Sequence, residues 1–205
     1  MMKKENPNIK QSWIDIDIPM ILRKIPLDTK SLLDLGCGRG IIAAICRSHR
    51  DIERLVGVDI FEPYLERLNK YRFYDQVLKH DLNQPLPFDD RSFEIVVAAE
   101  VVEHLEKEKA LNLIQEAERV GSRKVIITTP NFFCAEQGEH DNNKYQKHLS
   151  VTNWKEFKHM GYGVYGCGLF VPFGKVIPKL CVMIKTINYL TPRFAGSIIA
   201  VKDIV

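Results

Sequence analysis

The 205-residue sequence predicts an α/β fold, an open and mainly parallel sheet with helices on both faces. Three observations carry that expectation. Short apolar runs at 31–35, 54–58 and 93–99 are each followed by a polar or amphipathic segment, the alternation that builds parallel sheets. The segments between them carry apolar residues at helical rather than alternating spacing. An apolar fraction of 45% in a chain of this length is enough for one buried core without disulfides or structural metals.

Taken in order, Ser31-Leu-Leu-Asp-Leu35 is the first strand, and a helix over 39–50 follows with Ile41, Ile42, Ala43, Ala44 and Ile45. The second strand is 54–58. Residues 62–72 form the next helix through Tyr64, Leu65, Leu68 and Tyr71, and Pro63 suits its first turn, where a missing N–H costs nothing. A short strand at 76–79 and the run Phe93 to Ala99 come next. Residues 107–120 are amphipathic, with Ala110, Leu111, Leu113, Ile114 and Ala117 on one side, and Gly121 closes that helix. Lys124-Val-Ile-Ile-Thr128 is a buried strand ended by Pro130. The second half is less regular. It offers a polar loop at 131–149, a helix over 151–159, a strand around Val164, an apolar insertion at 170–190 and a last strand at 197–201.

Composition narrows the function classes. With 29 basic and 26 acidic side chains the net charge is only +3, so no global field draws the chain to nucleic acid. Five cysteines (Cys37, Cys46, Cys134, Cys167 and Cys181) are odd in number and form no C-x-x-C pair, which points to a reduced, cytoplasmic chain. Residues 1–10 are polar and lack the apolar core of a signal peptide. The insertion is broken by Pro172, Lys175, Pro178, Lys179 and Lys185, short of the ~20 uninterrupted apolar residues that cross a bilayer.

Asp34-Leu-Gly-Cys-Gly-Arg-Gly40 lies between the first strand and the first helix. Gly36 and Gly38 let the backbone approach a ligand where a Cβ would collide, and the helix beyond opens with free N–H groups. A dinucleotide fingerprint would need glycine at 41, where Ile41 stands. Asp34 at the loop entrance suits an ammonium group better than a pyrophosphate. A ligand with an amino group, a carboxylate and a ribose would satisfy the arrangement. Asp59 ends the second strand, where a carboxylate accepts from ribose hydroxyls, Asp81 follows the third strand within reach of an adenine amino group, and Glu100 closes the fourth. Each acid also has a local reading: Asp34 caps a turn, Asp59 ends a strand, Asp81 opens the loop to Pro85. Their joint placement at successive strand ends exceeds local turn chemistry.

The segments LLDLGCGRG (32–40), VGVDI (56–60), HDLNQPLPFDDRSFEIVVAAEVVEHL (80–105) and VIITTPN (125–131), in this order, resemble the class I S-adenosylmethionine-dependent methyltransferases. The resemblance implies a Rossmann-like, seven-stranded, mostly parallel sheet whose last strand, 197–201, is antiparallel and lies beside the sixth. It implies S-adenosylmethionine as cofactor, with Asp34, Gly36, Gly38, Gly40 and Glu100 at the methionine end, Asp59 at the ribose, and Ile60, Asp81 and Leu82 at the adenine. The chain then divides as one domain, 1–205, with an N-terminal cover (1–30), a cofactor half (31–131) and a substrate half (132–205) containing the insertion.

Glu100-Val-Val-Glu-His104 offers two carboxylates and an imidazole at one rim, a set that suits a divalent cation, with His148 or His140 as a further ligand. The run resembles that of small-RNA 2′-O-methyltransferases and ubiquinone-pathway O-methyltransferases, where E-x-x-E-H joins a downstream histidine around a metal. Glu100, Glu103, His104 and His148 are the metal candidates on this reading. A metal-free reading makes His104 or His148 the general base, and a third leaves the histidine to packing. The acceptor expected is a small molecule methylated on oxygen, since Ala98-Ala-Glu-Val101 stands where amino methyltransferases carry an N-P-P-Y-like tetrapeptide. A cover formed by 170–190 with Trp13, Ile14, Ile16, Ile18, Ile21 and Leu22 would make that acceptor hydrophobic; packing into the core is the default for such segments, and an interfacial helix meeting a membrane is the third reading of 170–190, for which the polar faces are thin. RNA or protein acceptors, a catalytically silent S-adenosylmethionine-binding regulator, and, more distantly, a nicotinamide-dependent dehydrogenase are the other readings.

Overall fold

The computed structural model describes residues 14–132, 142–167 and 189–205, with side chains for all of these except 14–17 and 194. Seven strands form one sheet in the order β3-β2-β1-β4-β5-β7-β6. They are β1 Ser31–Leu35, β2 Arg54–Asp59, β3 Gln76–Lys79, β4 Phe93–Ala99, β5 Gly121–Pro130, β6 Gly163–Cys167 and β7 Ser197–Asp203. The first five run parallel, and β7 lies antiparallel between β5 and β6. The sheet is the Rossmann-like one that the resemblance implies.

Near-continuous apolar strands are what a sheet covered on both faces requires. In β1 and β4, Leu33, Leu35, Val96 and Ala98 enter one core cluster, while Leu32, Ile95 and Val97 enter the other. Phe93 and Val96 share a face although three residues apart, because a bulge between Phe93 and Ile95 shifts the alternation. The helices are α1 Ile14–Lys24, α2 Ile41–His49, α3 Glu62–Tyr71, α4 Lys107–Val120 and α5 Trp154–His159. The buried residues of α1 and α2, with Leu65 and Leu68 of α3, join one cluster, and those of α4 and α5 the other.

Two expectations change. Helix α5 starts at Trp154 rather than 151, because Asn153 closes a capping box with Glu156. Strand β5 starts at Gly121 rather than 124, since α4 runs straight into it: Gly121 is extended (φ −77°, ψ 139°), not a left-handed cap. Glycine is needed there for space, as a Cβ would sit 3.0 Å from the Ala117 carbonyl oxygen and 3.3 Å from Val125. Gly121→Ala is therefore expected to cost about 1 kcal/mol, read as a lower urea midpoint at unchanged slope. Ile18 and Ile21 follow the default reading for such segments and are core: with Ile25, just beyond α1, they join the cluster that holds Ile126, Ile199 and Cys167. Trp13 and residues 170–188 of the insertion lie outside the described residues. Among the described residues no helix is long and apolar enough to cross a membrane.

Candidate functional site

The loops following β1, β2 and β4 lie at the carboxyl edge of the sheet, where open α/β sheets bind ligands. Between β1 and α2 the chain turns through Gly36, Gly38 and Gly40, all left-handed at φ 66°, 49° and 78°. Space as well as φ demands glycine at two of them. A Cβ on Gly36 would lie 2.5 Å from a Val101 methyl, and one on Gly40 would overlap the Leu68 side chain. The loop is tied to β2, as the Cys37 N–H donates to the Val58 carbonyl (2.9 Å) and the Gly38 N–H to Asp59 Oδ2 (2.8 Å).

Asp59 thus supports the loop while its other oxygen accepts from the Phe61 N–H at 2.8 Å. Burial pushes its carboxyl up, and the N–H groups of Phe61, Gly38 and Ile60 pull it back down. Each carboxylate oxygen keeps a lone pair for a further donor. Asp34, 2% exposed at the end of β1, accepts from the Tyr74 hydroxyl at 2.6 Å. Its pKa is pushed up to about 7, foremost by burial and further by the Asp59 charge, against the pull of the Tyr74 hydrogen bond. A recess of about 70 Å³ opens here, lined by Asp34, Gly36, Gly38, Ile41, Ile42 and Ala99. The Cys37 thiol beside it is held far above the ordinary range by burial and is inert.

Asp81 follows its local reading. Its Oδ1 accepts from the Asn83 N–H and side-chain amide (2.9 and 2.8 Å), and its carbonyl from Gln84 N–H, which closes the turn toward Pro85. Leu82 is buried in the core and Ile60 is half-buried beside Asp59.

At the end of β4, Glu100 takes a left-handed conformation (φ 55°) while its N–H donates to the Thr128 carbonyl and hydroxyl. That bend sends the chain into a 3-10 turn, Val102–His104. The Glu103 carbonyl accepts from the N–H groups of Leu149 (2.8 Å) and Ser150 (3.2 Å), which draws the loop after a second 3-10 turn, Lys144–Gln146, against the first. His148 is thereby set beside His104, ring centroids 4.9 Å apart and inclined at 69°. One ligand atom each from Glu103, His104 and His148 lies within 4.8 Å of the others. Glu100 is not part of that group, so the metal set expected from E-x-x-E-H is corrected to three residues: the left-handed bend separates Glu100 from Glu103. His140 lies outside the described residues.

Glu103, 1% exposed, also accepts from the Thr129 hydroxyl at 3.0 Å. His104 Nδ1–H donates to the Lys147 carbonyl (3.3 Å), which leaves the lone pair on Nε2. Burial lowers its pKa, partly offset by the carbonyls of Lys147 and Gln146, so the ring is neutral at pH 7. On the same loop the Gln146 amide donates to the Tyr64 hydroxyl at 3.2 Å. Sequence reasoning missed Tyr74, Thr129 and the Gln146–Tyr64 pair.

Residues 33–127 match the methyltransferase domain family. An uncharacterized protein of Methanocaldococcus jannaschii is 26% identical over 190 residues, covering 90% of this chain and 79% of the relative. A solved Pyrococcus horikoshii protein shares 25% identity at TM-score 0.52, over 62% of this chain and only 60% of its own. An S-adenosylmethionine-dependent methyltransferase from Archaeoglobus fulgidus aligns over 92% of this chain and 93% of its own at TM-score 0.62; at 18% identity that likeness speaks for the fold alone. The strand order, the glycine loop and the family match over 33–127, just under half of the chain, agree in pointing to an S-adenosylmethionine-dependent methyltransferase.

Proposed function

We propose that the protein transfers the methyl group of S-adenosylmethionine to an oxygen of a small, apolar acceptor, with His104 and His148 at the reacting centre. The convergence of Glu103, His104 and His148 at the rim of the cofactor loops carries this reading. In the transfer, the acceptor oxygen forms the new bond to carbon, the sulfur leaves with the old bonding pair, and the acceptor proton must go to a base. Neutral His104, its Nε2 lone pair available, is a base of the right kind.

Two imidazoles and a carboxylate are also a donor set for a borderline divalent ion. Glu103, His104 and His148 would hold it, and a bound ion would acidify an acceptor hydroxyl. On the cofactor side, Asp34 takes the cationic end, with the backbone of Gly36, Gly38 and Gly40 and the turn at Glu100 around it. Asp59 takes the ribose, and Ile60, Leu82 and Asp81 the adenine. The exposed rings and alkyl groups of Phe132 and Leu149, next in sequence to Asn131 and His148, support an apolar acceptor. The net charge of +3 speaks against RNA, and the buried thiols Cys37, Cys46 and Cys167 speak for a reducing, cytoplasmic setting.

The test has two parts. Calorimetry with S-adenosylmethionine is expected to show Asp59→Ala binding about 100-fold more weakly, since the ribose loses its acceptor and the Gly38 and Phe61 N–H groups lose theirs. Turnover is then followed over a panel of hydroxyl acceptors with and without divalent ions. Binding without any turnover would replace the enzyme with a silent regulator.

A further inference from the structure

We propose that Tyr74 is a positioning residue for the cationic end of the cofactor, its hydroxyl fixing the Asp34 carboxylate against the recess beneath the glycine loop. This rests on the reading that Asp34 meets that end.

The phenol has been given a built place. Tyr74 lies on the connector between α3 and β3, 40 residues from Asp34, and the connector is tied down on both sides of it. Arg47 Nε donates to the Phe73 carbonyl (3.0 Å), the Asp75 N–H donates to the Leu55 carbonyl (2.9 Å), and the Asp75 carboxylate accepts from the Leu55 N–H (2.7 Å) and the Arg47 guanidinium (2.6 Å). The ring passes under the loop where two glycines leave it room: a Cβ on Gly57 would lie 2.9 Å from Cε1, and one on Gly40 3.4 Å from Cε2. Its hydroxyl, in a side chain 7% exposed, reaches Asp34 Oδ2 at 2.6 Å.

Packing alone would be met by phenylalanine. The hydroxyl adds a short, charge-assisted bond that favours the ionised carboxylate and leaves Oδ1 for the ligand. The other titratable groups facing Asp34 are Asp59, which opposes its ionisation, and the Cys37 and Cys46 thiols, both kept neutral by burial. Tyr74 is therefore the member of this group that favours the charged carboxylate against burial and sets its orientation before a cation arrives.

The test is calorimetry of S-adenosylmethionine binding to wild-type protein and Tyr74→Phe between pH 5.5 and 8.5. The cofactor's own titration is common to both and cancels in the comparison. The midpoint of the pH dependence is expected to move up by about one unit in Tyr74→Phe, with affinity about 10-fold lower at pH 6.5 and recovering toward wild type at pH 8.5. An unshifted midpoint overturns the proposal, whether affinity is unchanged or falls equally at every pH, as it would if the hydroxyl only aided folding. Thermal melting of the same variant shows that the fold is kept. Asp34→Asn separates the two levels. If it binds as tightly as wild type, the assignment of Asp34 fails and this proposal with it. If it binds weakly while Tyr74→Phe leaves the midpoint in place, only the role of Tyr74 is overturned.

Discussion

Replacing His104 with alanine is expected to lower methyl-transfer turnover by about 10²- to 10⁴-fold while changing S-adenosylmethionine affinity by no more than about twofold. The split follows from geometry. His104 sits on the 3-10 turn after β4 with its ring tied to the Lys147 carbonyl, whereas Asp34 and Asp59 end β1 and β2. Turnover measured against saturating cofactor, with calorimetry on the same samples, checks both halves; equal losses in the two would remove His104 from the reacting centre. The pH profile adds a signed expectation. Because burial depresses the His104 pKa below 6.5, turnover should fall on the acid side only once the pH drops below that value. Chelation separates the two ways of activating the acceptor. An ion held by Glu103, His104 and His148 makes wild-type turnover sensitive to a chelator and restorable by a divalent salt, while a metal-free base makes it indifferent to both.

Asparagine in place of Asp34 is expected to stabilise the cofactor-free protein at pH 8 and to weaken S-adenosylmethionine binding about 100-fold. The native carboxyl titrates near 7 and the unfolded one near 3.8, so the native state binds the proton more tightly. Stability from this group is therefore fully present below about pH 4 and declines as pH rises toward 7 and beyond, to a cost of about 4 kcal/mol for the buried charge. Asparagine removes the charge and keeps a carbonyl oxygen for Tyr74, but brings two N–H donors into a site 2% exposed. The net gain expected is about 2 kcal/mol, or about 6 °C in melting temperature, at pH 8, and it reverses to a loss of about 2 kcal/mol at pH 4, where the native carboxyl is already neutral and only the cost of the amide N–H groups remains. A melting temperature that does not respond to pH in the wild type but responds in the variant would contradict the argument. The carboxylate is thus kept at a loss to folding and recovers its value only against a cation.

Much of this site was legible because parallel-sheet chemistry writes itself locally. The apolar runs of β1 and β4, the three glycines after β1 and the acids closing β1 and β2 stand in short contiguous segments, and their order carries the topology. The rest depends on contacts that no periodicity announces. Tyr74 meets Asp34 across 40 residues, Thr129 meets Glu103 across 26, and Gln146 meets Tyr64 across 82. The E-x-x-E-H run misled at its first residue for a backbone reason. Spacing places Glu100 with Glu103 only if the chain is already helical at 100, and its φ of 55° shows that it is not. Gly121 was the correct residue for a different cause, crowding by Ala117 instead of a left-handed turn. The apolar stripe of α1 was visible, but a stripe does not say whether it meets a substrate or a sheet.

The position of β7 bears on how the chain assembles. Strand β7 pairs with β5 at seven positions and with β6 at five, while among the described residues β6 has no other strand beside it in the sheet. During synthesis β1 to β5 can zip together in order, each against a strand already made. Residues 163–167 must wait, with an open ladder on both sides, until 197–203 arrive. Closure of that edge is a late, long-range event. The glycine loop and the acids that end β1 and β2 belong to the half that can form before that edge closes.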